Sequence, residues 1–390
     1  MAHARVFAAL AVSLLLIVAN SISESDAVAR LIRVPLLRGT TQSAGQLGQP
    51  VISYYAPVSI GTPPKVFNVE FDVDFNELFV PHYEWNPFKT NLHYGKGFQC
   101  KVSSSCVKDK NSLTIEYQHC KLSGKLYEDV ITFNNAYGNL LGPNVNVSVP
   151  VSMRQSFLAA ADASDARFKD LPIDGVFGLG PLAKSSTKIT NLLVNLHENK
   201  LIDNLQFSFW FNPVLDSIQG GELVLGGIDT QRYQGKIYWH HLSAVSGQWT
   251  LGLQYVSLGN QVVGCYGHSC QAMLSTGLTD LYGPRDDVMK IYALLNSSRQ
   301  KSGLELIDCR RISSLPIITF TIDGIPYPLL PTNYIRKTVD GAIFKSETCY
   351  VAILPSDSHR NEWILGTNFL GTYYSMFDMT YRQVGFATLK

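Results

Sequence analysis

Runs of lysine or arginine are absent from this chain. Its net charge is +1 over 390 residues. It therefore carries no general electrostatic attraction to nucleic acid or to an anionic membrane surface. Charge is scarce altogether, at 16% of residues against 46% apolar, which excludes disorder, because there is ample apolar surface for a core. The nine histidines fall at no metal-ligand spacing. His82, His119 and His268 read as loop residues, and His240-His241 divide between core and surface at strand spacing. No metal and no cofactor are expected. Helical periodicity is rare. Beyond Ala19 no apolar run reaches spanning length, and Val384–Lys390 lacks an anchor signal.

What is present begins with a targeting segment. Met1 to Arg5 is a short basic start, Val6 to Ala19 is apolar apart from Ser13, and Asn20 to Ser25 is mostly small and polar. That is the layout of a secretory signal peptide, assigned to residues 1–23 with cleavage near Ser21 or Ser23. A membrane anchor is the alternative, but the run is short for a span. The mature chain is expected to be a soluble monomer, secreted or luminal, with no membrane association once the signal is removed. Seven cysteines suit that oxidising compartment. So do the glycosylation sequons Asn146-Val147-Ser148 and Asn296-Ser297-Ser298.

The length is enough for two domains with sizeable cores, and the pattern is mostly β. Leu31 to Leu37 reads as a strand, followed by a Gly/Ser/Thr/Gln linker from Gly39 to Pro50. A strand from Val51 ends at the turn Gly61-Thr62-Pro63-Pro64. Phe67, Val69 and Phe71 alternate with Asn68, Glu70 and Asp72, giving a strand with one apolar face that delivers Asp72 to a turn. Leu113–Tyr117, Glu222–Leu225, Lys236–Leu242 and Thr319–Ile325 read as further strands. Lys188–Asn199 and Asp286–Leu295 carry helical stripes and read as packing helices.

The chain is also built twice over. Phe71-Asp72-Val73-Asp74-Phe75-Asn76-Glu77-Leu78-Phe79-Val80-Pro81 returns in altered form as Met273-Leu274-Ser275-Thr276-Gly277-Leu278-Thr279-Asp280-Leu281-Tyr282-Gly283-Pro284. Each copy is a strand, a polar turn and a second apolar stretch. Each is followed by an apolar-apolar-Gly strand, Val176-Phe177-Gly178 and Ile364-Leu365-Gly366. Two lobes facing each other across a cleft are implied.

With these paired turns, Ile60-Gly61-Thr62-Pro63 and Gly226-Gly227-Ile228-Asp229, the chain resembles the pepsin-like aspartic proteases along nearly its whole length. The resemblance implies an all-β, bilobal acid-protease fold. It divides the chain into a retained pro-like strand and linker (24–50), an N-terminal lobe (51–232) and a C-terminal lobe (233–390). It implies bridges Cys265–Cys270 and Cys309–Cys349. In the first lobe the family's bridge lies nearer the first turn than these cysteines do, so Cys100–Cys106 with Cys120 left over and Cys100–Cys120 both stay open.

In that family each turn reads Asp-Thr-Gly and supplies one of two catalytic carboxyls. Two carboxyls sharing a site cannot both ionise easily, so one acts as acid and the other as base. Here Asp72 stands at the first position and Ser275 at the second. A serine hydroxyl is neither a useful base nor a strong acid near neutral pH, and no Gly-x-Ser-x-Gly elbow surrounds it to make a nucleophile. Val73 replaces a threonine whose hydroxyl, in the family, bonds across to the other lobe. Asp74 replaces a glycine and adds bulk. An Asp72–Asp74 pair would lack the two-fold placement of the family's dyad. Thr276 and Gly277 keep the family pattern.

The flap tip, Tyr-Gly-Thr-Gly in active relatives, is here Tyr117-Gln118-His119-Cys120, which implies a bulkier and stiffer tip. Phe79 replaces a tryptophan whose ring nitrogen supports the flap tyrosine, and phenylalanine has no donor. The inhibitory helix of the family's pro-region has no counterpart. The expectation is a homologue without proteolysis whose cleft binds an extended peptide or protein segment. An aspartic endopeptidase with an unorthodox site, and a structural or antigenic protein with a vestigial cleft, are the alternatives.

Overall fold

The computed structural model describes residues 30–41, 49–85, 97–133, 137–138, 147–148, 150–164, 168, 171–181, 187–214, 217–243, 247–265, 270–300, 303–340, 346–357 and 361–390. The signal segment 1–23 and Asn146 lie outside them. No helix among the described residues is long and apolar enough to cross a membrane.

Strand β1 (Ile32–Thr41) buries Ile32, Val34 and Leu36 on one face, worth about 2 kcal/mol for each side chain. Its first half pairs antiparallel with Gln219–Leu225, from Ile32↔Leu225 to Leu36↔Gly221. Its second half pairs with β2 (Val51–Ile60), from Leu37↔Tyr55 to Thr41↔Val51. The expected linker therefore starts later than Gly39, because Gly39 to Thr41 find backbone partners in β2. Arg33 pairs with Glu222 at 3.0 Å and Asp229 at 2.6 Å. The strand is held on both edges and is part of the sheet. The mature N-terminus is accordingly expected between Ile22 and Val28, with Arg33 retained. Mass-spectrometric mapping checks it, and a start near Val51 would show that this strand is cleaved away.

The two halves share one topology. β3 (Lys65–Asp72) runs parallel to Gly175–Gly178, with Asp72 opposite Gly178. That strand is antiparallel to β4 (Leu78–Pro81). In the second half Cys270–Leu274 runs parallel to Glu362–Leu365, which is antiparallel to Leu281–Pro284. The closing glycines serve the same purpose in each half. A Cβ on Gly178 would strike the carbonyls of Phe75 and Glu77, and one on Gly366 those of Leu278 and Asp280. Only a bare Cα lets the turn residues pack so closely.

Among the described residues the strands form a 15-stranded, an 8-stranded and a 4-stranded sheet. Tyr233–His241 joins the largest through Gln383–Leu389, beside Tyr373–Asp378 and Gln206–Phe211. The strand expected over Thr319–Ile325 is instead Ile318–Ile322. Asp323 and Gly324 take positive φ and turn the chain into Ile325–Leu329. The first expected helix is shorter, Leu192–Glu198, because the Asn191 side chain caps it by accepting from Leu193 N and Val194 N. The second, Arg285–Leu295, ends at exposed Asn296 in a left-handed conformation. The bridges are Cys100–Cys106, Cys265–Cys270 and Cys309–Cys349, with Cα separations of 5.4, 5.6 and 5.3 Å. Cys120 takes part in none of them.

Candidate functional site

β3 carries Asp72 to the floor of the cleft, and Cys270–Leu274 carries Ser275 to face it. Both are fully buried. Ser275 Oγ lies 3.5 Å from Asp72 Oδ1, and Thr276 Oγ1 is equally distant. The same oxygen accepts closer bonds from Asp74 N at 3.0 Å and Gly277 N at 3.1 Å. Burial pushes the Asp72 carboxyl above the usual range, while these bonds and that from Tyr117 pull it back.

Thr276 spans the two turns. Its hydroxyl donates to Phe71 O at 2.7 Å and accepts from Val73 N at 3.0 Å. Val73, fully buried, has no hydroxyl to return that bond, so side-chain exchange between the turns is one-sided. Asp74 is held by a side chain distant in sequence. Its Oδ1 accepts from Gln248 Nε2 at 2.8 Å. Burial first, and then Asp72 and Glu362, push its carboxyl well up.

The flap comes down onto this floor. β5 (Val107–Tyr117) and β6 (Cys120–Phe133) pair as a hairpin with Tyr117 opposite Cys120. Gln118 and His119 form its two-residue turn at φ 46° and 68°, a left-handed geometry that costs about 1 kcal/mol or more for each non-glycine residue. The Gln118 side chain offsets this cost, donating to the Tyr117 hydroxyl and to Gly277 O, both at 3.1 Å. Tyr117 is buried among Phe75, Phe79 and Phe168, at ring separations of 4.9, 5.9 and 6.0 Å. Phe79 offers no donor, and the Tyr117 hydroxyl donates to Asp72 Oδ2 at 3.0 Å. That hydroxyl lies so close over Gly277 that a Cβ there would collide with it and with Asp72 Oδ2.

This closure divides the cleft. A cavity of 240 Å³ lies on the Glu70 and Asp280 side. One of 670 Å³ lies on the Asp74 and Glu362 side. Tyr117, Gln118, Leu278 and Tyr282 line both.

Three contributors escaped the sequence reading: Glu70, Gln118 as a bridge, and Gln248. The alternation along β3 marks Glu70 as sharing a face with Asp72. That face meets the site rather than water, and Glu70 is buried. No metal-binding cluster of acidic, histidine or cysteine side chains occurs among the described residues.

A two-lobed β protein with facing, topologically matched turns at the base of a flap-covered cleft defines the acid-protease class. The eukaryotic aspartyl protease family matches residues 53–389, and the chain belongs to that family. It is similar to cathepsin D of Rattus norvegicus, 30% identical over 92% of this chain and 88% of that protein. Pepsin F of Oryctolagus cuniculus is 30% identical over 86% and 81%, and cathepsin E-B of Xenopus laevis is 29% identical over 86% and 79%.

Proposed function

We propose that this chain is a secreted, catalytically inactive member of the family whose cleft holds a peptide or protein segment. One observation carries the reading. The Tyr117 hydroxyl donates to Asp72 Oδ2 at 3.0 Å, and the residue opposite is Ser275 instead of a second carboxyl. Hydrolysis needs a base, an acid and a positioned water. Only one of the family's two carboxyls remains, and its outer oxygen is occupied.

Binding survives these losses. The larger cavity keeps apolar walls from Phe75, Leu278 and Ile364, and the smaller from Phe168, Leu171 and Leu278, beside polar groups, the mixture that recognises an extended segment. A segment seats in either chamber, and one that crosses the middle requires the flap to lift.

Leu278 borders both chambers and is the place to block them. Immobilised wild-type protein is expected to retain members of an extended-peptide library. Leu278→Trp should weaken that retention about tenfold or more, the scale of losing one well-filled pocket, with the thermal unfolding profile unchanged. Equal retention by both proteins would remove the cleft from the binding role and leave a vestigial cleft as the better reading.

A further inference from the structure

The two chambers of the cleft differ in charge. Four carboxylates border the larger one: Asp74, Glu116, Asp357 and Glu362. They reach it from both lobes. Asp74 comes from the turn after β3 and Glu116 from β5. Asp357 follows the strand Ile353–Ser356, and Glu362 opens the strand Glu362–Leu365. No acidic run along the chain produces this grouping; the folded cleft does. Among the described residues, which leave out Arg360, no lysine or arginine lines the chamber.

Two of the four are answered at its edge. Asp357 accepts from Arg285 at 2.7 Å, and Glu116 faces His119 at 3.8 Å. The Asp74 carboxyl is met by the neutral amide of Gln248 at 2.8 Å. Asp74 also feels Glu362, a charge of its own sign. Two carboxyls facing one space favour a cation near both, or a proton where no cation is present.

The walls of the same chamber are apolar, from Phe75, Met273 and Leu278. A lysine or arginine side chain is divided in the same way, with an apolar stem and a charged head. The smaller chamber is built otherwise. Its acids are Glu70, which is buried, and Asp280. Asp280 is already answered from within the protein, by Arg336 at 3.2 Å and Asn368 Nδ2 at 3.3 Å.

We infer that the larger chamber selects a segment carrying a lysine or arginine side chain, whose charged head is read by Asp74 and Glu362. The inference rests on the reading of the cleft as a binding site and names the class of segment that site takes. Glu116 and Asp357 are exposed and act on approach more than on final fit. An acidic segment is rejected by the same carboxylates, so attraction and repulsion favour one class together.

The probe is an extended-peptide library passed over immobilised wild-type protein at neutral pH and physiological salt. Retained peptides should be enriched in lysine or arginine at one fixed position. The best-retained peptide is then remade with glutamine, and with glutamate, at that position. Affinity should fall about tenfold or more for glutamine, and further for glutamate. In the double variant Asp74→Asn with Glu362→Gln, the basic and glutamine peptides should bind within about threefold of each other. Glu362→Lys should bind the glutamate peptide better than the basic one. Glu128→Gln removes an exposed negative charge that lines neither chamber. It should keep the wild-type preference, which separates recognition in the chamber from net charge.

Retained peptides without a basic preference overturn the inference and leave the cleft as a binding site. A preference that survives the double variant does the same. Should that variant fail to fold, Glu362→Lys carries the test, and an unchanged order of affinities there overturns the inference. Retention of no peptide at all overturns the binding reading and this inference with it.

Discussion

Purified wild-type protein is expected to leave a denatured protein substrate intact from acid to neutral pH, and Ser275→Asp alone is expected to restore little. This is the largest effect expected of the molecule. A positioned acid or base contributes about 10²- to 10⁴-fold, but residues that act as one unit do not restore activity singly. With the second carboxyl restored, Tyr117 would still donate to Asp72 Oδ2, Gln118 would still bridge to Gly277 O, and Val73 would still lack the hydroxyl of the family's turn. Measurable acid proteolysis is expected only when Ser275→Asp is combined with Val73→Thr and Asp74→Gly, and more of it when Gln118→Gly and Cys120→Gly loosen the tip. The single, triple and quintuple variants are compared at equal folded fraction by circular dichroism. Full activity in the single variant would show that the flap and first turn are no obstacle, and the binding reading would lose its main support.

Replacing Arg33 by methionine is expected to destabilise the fold by about 3 kcal/mol, since removing one member of a buried charge group leaves the others uncompensated. Arg33 sits between Glu222 and Asp229, both nearly buried, with Arg232 3.7 and 3.6 Å from the same two carboxylates. The Arg232 guanidinium is itself held 4.0 Å over the Trp210 ring, so it cannot move fully into the vacated place. The group ties β1 to the strand Gln219–Leu225 and to Asp229 just beyond it. Urea denaturation measures the loss as a lower midpoint at unchanged slope. A shift under about 1 kcal/mol, the value of an exposed pair, would show that β1 is held by its backbone pairing and apolar face alone.

The two-fold plan was legible along the chain, because each half repeats a local pattern: alternating strand, polar turn, apolar-apolar-Gly. Such patterns depend on neighbours within a short stretch of chain. The placement of Asp72 and Ser275 at equivalent turns follows from them. So does the short first strand, although its last residues, Gly39 to Thr41, read as linker until β2 supplied their partners. Where the flap's polar atoms go was settled only by folding. Tyr117 and Asp72 are 45 residues apart, and Gln118 and Gly277 are 159 apart. Gln248 reaches Asp74 across 174. A hydroxyl or amide side chain has several available partners in an extended chain, and no spacing rule chooses among them. The choice is made when two lobes close over one floor and buried polar atoms must take whichever partner lies within about 3 Å. Glu70 shows the same limit: alternation set it on the polar face of β3, and only the closing of the fold over that face turned a surface position into a buried acid.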